Sequence, residues 1–126
     1  MKRIFAAGIL TVSMLTLAFV GQWVAKDNIR KIQTVMEQVD IGLAAGDRET
    51  ALKVSEDFIK DWDRLHGRLC LFLQHDHLDP LEKVFALLPF YITEGEITLA
   101  RAECKNVCTL TEHILKTEMV TLENIF

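Results

Sequence analysis

The stretch His75-Asp76-His77-Leu78-Asp79-Pro80 places two histidines one residue apart among two carboxylates. Imidazole nitrogens and carboxylate oxygens are donors of zinc-type sites, which need three or four converging ligands. The remaining donors must come from elsewhere in the chain. If the second and fourth helices run the same way, the end of the fourth brings Glu112 and His113 toward His75. The candidate set is then His75, His77, His113 and Glu112. The competing reading is a helix corner, with a terminal histidine paired to carbonyls or to Asp76 and Asp79. His-x-His lacks the spacing that marks known zinc patterns, so the corner is the default and no cofactor is expected.

The cysteines are the next candidates. Cys104 and Cys108 are four apart and share a helix face, as a ligand pair would. His113 lies five residues beyond Cys108, about 140° round the helix, and does not converge with it. Cys70 lies near the end of the second helix, where a disulfide to Cys108 is open if the domain is outside the cell. All three cysteines also fall on or beside apolar stripes, which favours core packing. Trp62 reads as a core aromatic and Glu103 as part of a solvated face. Catalysis finds little support. The only serines are Ser13 and Ser55, and there is no glycine-rich phosphate loop. The chain is not expected to be an enzyme.

These residues must be positioned by helices. From Ile4 to Ala25 there is no charged residue. Some 22 residues of helix span roughly 33 Å, against a hydrocarbon core of about 30 Å. Ten Ile, Leu, Phe or Val residues there contribute on the order of −3 to −6 kcal/mol to insertion. The run is longer than a signal peptide's apolar region and lacks a small-x-small exit, so it reads as an uncleaved anchor. Lys2 and Arg3 favour a cytoplasmic N-terminus and a soluble part outside, in the cell membrane. Trp23 suits the membrane interface. The segment after the anchor holds 12 basic and 18 acidic residues, a net −6. That balance argues against a general nucleic-acid partner.

Past the anchor, apolar residues step by three and four. Ile29, Ile32, Met36, Val39 and Leu43 form one stripe, and the anchor and this segment read as one helix over about Ile4 to Ala44. Asp47 caps a second helix carrying Ala51, Ser55, Phe58, Trp62, Leu65, Leu69 and Phe72, about 27 residues long. Asp79-Pro80-Leu81-Glu82 reads as the start of a third, with Asp79 at the cap and Pro80 at the first position. Pro89 should kink or shorten it. A fourth carries Ile97, Ala100, Cys104, Val107, Thr111 and Ile114. The expected architecture is all-α. A basic N-terminus (1–3) leads to a single transmembrane helix (4–25) and a small antiparallel four-helix bundle (26–117). A tail (118–126) packs on the bundle. A helical-hairpin repeat is the alternative, but no 34-residue echo of the Gly46-Asp47 opening appears.

The basic and apolar front, Trp62, His75 with its acidic neighbours and the ending Thr121-Leu122-Glu123-Asn124-Ile125-Phe126 together resemble a known family. It comprises small uncharacterised membrane-anchored helical proteins of Firmicutes, catalogued as a domain of unknown function. The resemblance covers essentially the whole chain. It matches Trp62, His75, Glu103, Leu122, Asn124 and Ile125 to the family pattern. The family commonly carries an acidic residue two after the histidine, where this chain has His77. The resemblance brings no activity and implies a membrane-protein partner. The expected function is thus a membrane-anchored accessory or interaction protein in contact with the bilayer through residues 4–25. The alternative is an extracytoplasmic ligand or metal sensor built on the His75/His77 corner.

Overall fold

The computed structural model describes residues 1–123, with side chains to residue 117. Within them are four α-helices: α1 (Lys2–Ala44), α2 (Arg48–Leu69), α3 (His75–Thr93) and α4 (Ile97–Glu123). No strand occurs among the described residues. The all-α architecture is the one expected, a long apolar first helix leading into a four-helix bundle.

The uncharged apolar run and the first bundle helix are continuous. At 43 residues, α1 is roughly 65 Å long. Every residue from Met1 to Val20 is exposed. Burial begins at Gly21 and Ala25 and continues through Asn28, Ile29, Ile32, Met36, Val39 and Leu43. The first half of α1 therefore stands clear of the bundle, and the second half is one of its four staves. Among the described residues, α1 is the helix long and apolar enough to cross a membrane.

The stripes read from the sequence form the core. Ala51, Ser55, Phe58, Trp62 and Leu69 are buried on α2. Leu81, Val84, Phe85, Leu88 and Ile92 are buried on α3, and Ala100, Cys104, Val107, Thr111 and Ile114 on α4. Each helix packs on its sequence neighbours and α1 closes the ring with α4, while α1 with α3 and α2 with α4 do not pack together. The bundle is thus up-and-down, with α2 and α4 on a diagonal. Polar clasps fix α4 against α1: Arg101 Nε donates to Asp40 Oδ1 at 2.8 Å, and Gln33 Nε2 donates to Thr111 Oγ1 at 3.0 Å.

The two corners far from the free half of α1 share one construction. After α1, the Asp47 N–H donates to the Gly42 carbonyl at 2.8 Å and the Gly46 N–H to Leu43 at 3.2 Å. After α3, Glu96 donates to Tyr91 at 2.9 Å and Gly95 to Ile92 at 3.2 Å. Both are Schellman motifs, and both glycines have φ of +80°. A side chain strains that backbone, so Gly46→Ala and Gly95→Ala should each cost about 1–2 kcal/mol. Chemical unfolding of the full chain in detergent checks this: each midpoint should fall with the slope unchanged. The Asp47 carboxylate accepts from the Thr50 N–H at 3.3 Å, as its expected capping role requires.

Three local expectations are corrected. Helix α2 ends at Leu69, giving 22 residues instead of about 27. Phe72 is consequently off the helix and half exposed. Helix α3 begins at His75, not after Asp79, and runs through both Pro80 and Pro89 to Thr93. The earlier start buries Leu78 completely. Pro80 cannot donate to the Asp76 carbonyl, but Asp76 is exposed, so water can replace the missing bond at little cost. The backbone of α4 continues past Thr117 to Glu123. The packing expected of residues 118–126 lies outside the described residues, as do Asn124, Ile125 and the side chain of Leu122.

Candidate functional site

The chemistry expected at the His75 corner takes a different form. Because His75 and His77 both lie in α3, they are two helical steps apart and point about 200° away from each other. They cannot share one ion. Glu112 accepts from Gln33 Nε2 at 3.0 Å and so faces α1, and His113 is exposed on α4. The set His75/His77/His113/Glu112 does not assemble.

What does converge is His66, Cys70 and His75. Their ligand-type atoms all lie within 4.8 Å of one another. His66 occupies the last turn of α2, and Cys70 follows it as the C-cap. Four residues apart, they share a helix face. The chain then turns tightly. The Leu69 carbonyl accepts from Phe72 at 3.0 Å and from Leu73 at 2.8 Å. Leu73 is buried and pins the turn to the core. Helix α3 opens at His75, five residues after Cys70, with no side-chain cap on its N-terminus. Cys70 Sγ lies 3.6 Å from His75 Nδ1, and 3.7 and 3.6 Å from Nδ1 and Nε2 of His66.

An aromatic wall holds this corner. The Trp62 and His66 rings are 5.5 Å apart, and those of His66 and His75 are 6.0 Å apart. Trp62 meets Phe85 edge-on at 4.8 Å, and Phe85 meets Phe58 edge-on at the same distance. Trp62 is therefore a core aromatic, as its place on the stripe indicates, and it also supports His66. The sequence reading passed over His66. Its signal was the His66-x-x-x-Cys70 spacing on a helix, the same i, i+4 geometry that seats paired ligands in helical metal motifs.

The corner lies at the end of the bundle where the free half of α1 begins. A Cβ built on Gly21 would come within 2.4 Å of the Phe72 ring, so Phe72 rests directly on the backbone of α1 there. Gly21 belongs to the uncharged run ending at Ala25. Leu71 beside it is 77 % exposed and Trp23 is 70 % exposed. The turn thus presents apolar side chains at the level where the free half of α1 begins.

The cysteine pairing with Cys108 is not found. All three cysteines are free thiols. A disulfide needs Cα atoms within about 7 Å, and α2 and α4 are diagonal. Cys104 is buried and Cys108 half-buried on the α4 face toward α1. Burial, then the charges of Asp40, Cys108 and Glu103, push the Cys104 thiol up to about 12. Burial, then Glu37, Asp40 and Glu112, push Cys108 upward. Glu103 is half-buried beside Cys104, not on a fully solvated face.

The sign of the effect is definite. A thiol raised from about 9 to about 12 favours folding fully below pH 9, and that contribution is lost as the pH rises toward 12. At pH 8 the folded Cys104 thiolate should be roughly a thousandfold scarcer than that of an ordinary thiol. Timed alkylation read by peptide mass should therefore leave Cys104 unlabelled until the chain is unfolded.

No curated protein and no solved structure matches the chain. One family model does, and it begins almost where burial begins on α1, covering the whole described bundle. The chain belongs to the family described as Domain of unknown function (DUF4363), matched over residues 20–125.

Proposed function

We propose that the protein is a single-pass, membrane-anchored accessory protein whose bundle binds a membrane-protein partner and has no catalytic role. The observation that carries this reading is the continuity of α1. The exposed apolar half and the buried half belong to one helix without proline or turn between them. The bundle therefore sits on the bilayer without a flexible linker, and its reach is limited to about its own dimensions. A partner within that reach is itself in or on the same membrane. Tethering raises the effective concentration of the two, so a weak interface suffices.

The membrane-facing turn supports the same placement. Leu71, Phe72 and Trp23 lie where an interface would shelter them. The basic Lys2 and Arg3 favour an N-terminus inside and a bundle outside the cell. A cysteine at exposed Lys53 should then react with a membrane-impermeant maleimide in intact cells.

The test is photocrosslinking from exposed bundle positions in native membranes, followed by identification of the adducts. The expected result is one integral membrane protein enriched from several positions on one face. Recovery of the chain without any enriched neighbour from every face removes the proposal.

A further inference from the structure

We infer that His66, Cys70 and His75 bind Zn²⁺ at the membrane-proximal turn, as a three-ligand site with its fourth position open. Zinc bonds of about 2.3 Å to sulfur and 2.0–2.1 Å to nitrogen at tetrahedral angles place S and N about 3.6 Å apart. Cys70 Sγ is 3.6 Å from His75 Nδ1 and 3.6 Å from His66 Nε2. The two sulfur-to-nitrogen edges of the site are already at their metal-bound lengths. The two imidazole nitrogens lie within 4.8 Å and need close by at most about 1.5 Å to reach about 3.3 Å.

Thiol–imidazole hydrogen bonding accounts for these contacts less well. One S–H can be donated once and the sulfur accepts only weakly, yet nitrogens of two rings stand at nearly equal distance from it. Sulfur at nearly equal distance from both nitrogens of His66 stands off the ring plane, on neither lone pair. A turn of the ring presents either nitrogen to an ion.

The donor set selects the ion's class. One thiolate with two imidazoles suits a borderline-soft cation and not a hard one such as Ca²⁺ or Mg²⁺. His75 is exposed while His66 and Cys70 are half-buried, so the remaining position opens outward to water or to a partner's side chain. Binding breaks the Cys70 S–H bond and forms the Zn–S bond, and the proton passes to solvent. The ion would join the last turn of α2 to the first of α3 beside the bilayer, at the corner that lacks a Schellman glycine. The other thiols do not compete, since Cys104 and Cys108 sit in the α1–α4 interface among carboxylates with no histidine in the cluster.

Co²⁺ titration of the full chain in detergent, followed by Zn²⁺ displacement, tests the site. One Co²⁺ per chain should bind with a thiolate-to-cobalt charge-transfer band, which Zn²⁺ abolishes. The band should vanish in Cys70→Ser and persist in Cys108→Ser. Zn²⁺ affinity should fall at least tenfold in His66→Ala and in His75→Ala. Because His75 is exposed, His75→Ala should retain the helical circular dichroism of the parent. No thiolate band in the parent chain, or a band that survives Cys70→Ser, overturns the inference.

Discussion

Arginine at both Leu10 and Leu15 should move the protein out of the membrane fraction. The two leucines are 65 % and 41 % exposed on the free half of α1, with no bundle contact to keep them in place. Each arginine near the centre of a span costs about 2.5–3.5 kcal/mol, so the pair costs roughly 5–7. The apolar residues of the run supply only about 3–6 kcal/mol in the favourable direction, and the change removes two of them. Insertion should therefore reverse sign. All the burial in the bundle starts at Gly21, so the released chain should keep the helical signal of residues 21–117. Alkaline washing of membranes followed by blotting reads the partition. Retention of the double variant in the washed membranes contradicts the anchor.

The second large effect is internal. Phe85→Ala should destabilise the bundle by about 3–5 kcal/mol, the range for a buried phenylalanine. Phe85 is 2 % exposed and lies edge-on against both Phe58 and Trp62. Its loss opens a cavity beside Trp62, and Trp62 in turn backs His66. Against a typical domain stability of about 5–15 kcal/mol, that is a large share. Phe90, 58 % exposed on the same helix, is the matched control and should change stability by under 1 kcal/mol. Denaturant unfolding followed by circular dichroism distinguishes them. Equal midpoints for the two variants refute the aromatic wall.

Most of the core was legible because it depends on spacing alone. Ile29, Ile32, Met36, Val39 and Leu43 repeat every three or four residues, and each is buried. The continuity of α1 was legible for a related reason: no proline or loop signal interrupts it. The start of α3 was misread because two signals conflict. Asp79-Pro80 has the residues of a helix cap, but the stripe Leu81, Phe85, Leu88, Ile92 extends backward to Leu78. Burying Leu78 outweighs one backbone bond lost at an exposed carbonyl.

The candidate site was half legible. His75 was found, but its partners were sought two residues along and on the diagonal helix. A stripe fixes which face of a helix is inward and leaves open which helices are neighbours. That order, α1-α2-α3-α4 around the ring, separates α2 from α4 and with it Cys70 from Cys108. The contact of Phe72 with Gly21 was likewise out of reach. It depends on α2 ending at Leu69, where no proline or left-handed glycine follows the helix and Gly67 lies inside its last turn.

The central claim is a continuous α1 that stays in the bilayer and carries the bundle on it. Intact mass of the native protein, extracted by detergent from alkali-washed membranes, tests it most directly. The account predicts a chain that keeps the apolar run from Ile4 to Ala25, recovered from the membrane pellet. A chain found in the soluble fraction, lighter by the residues up to about Ala25, would contradict it.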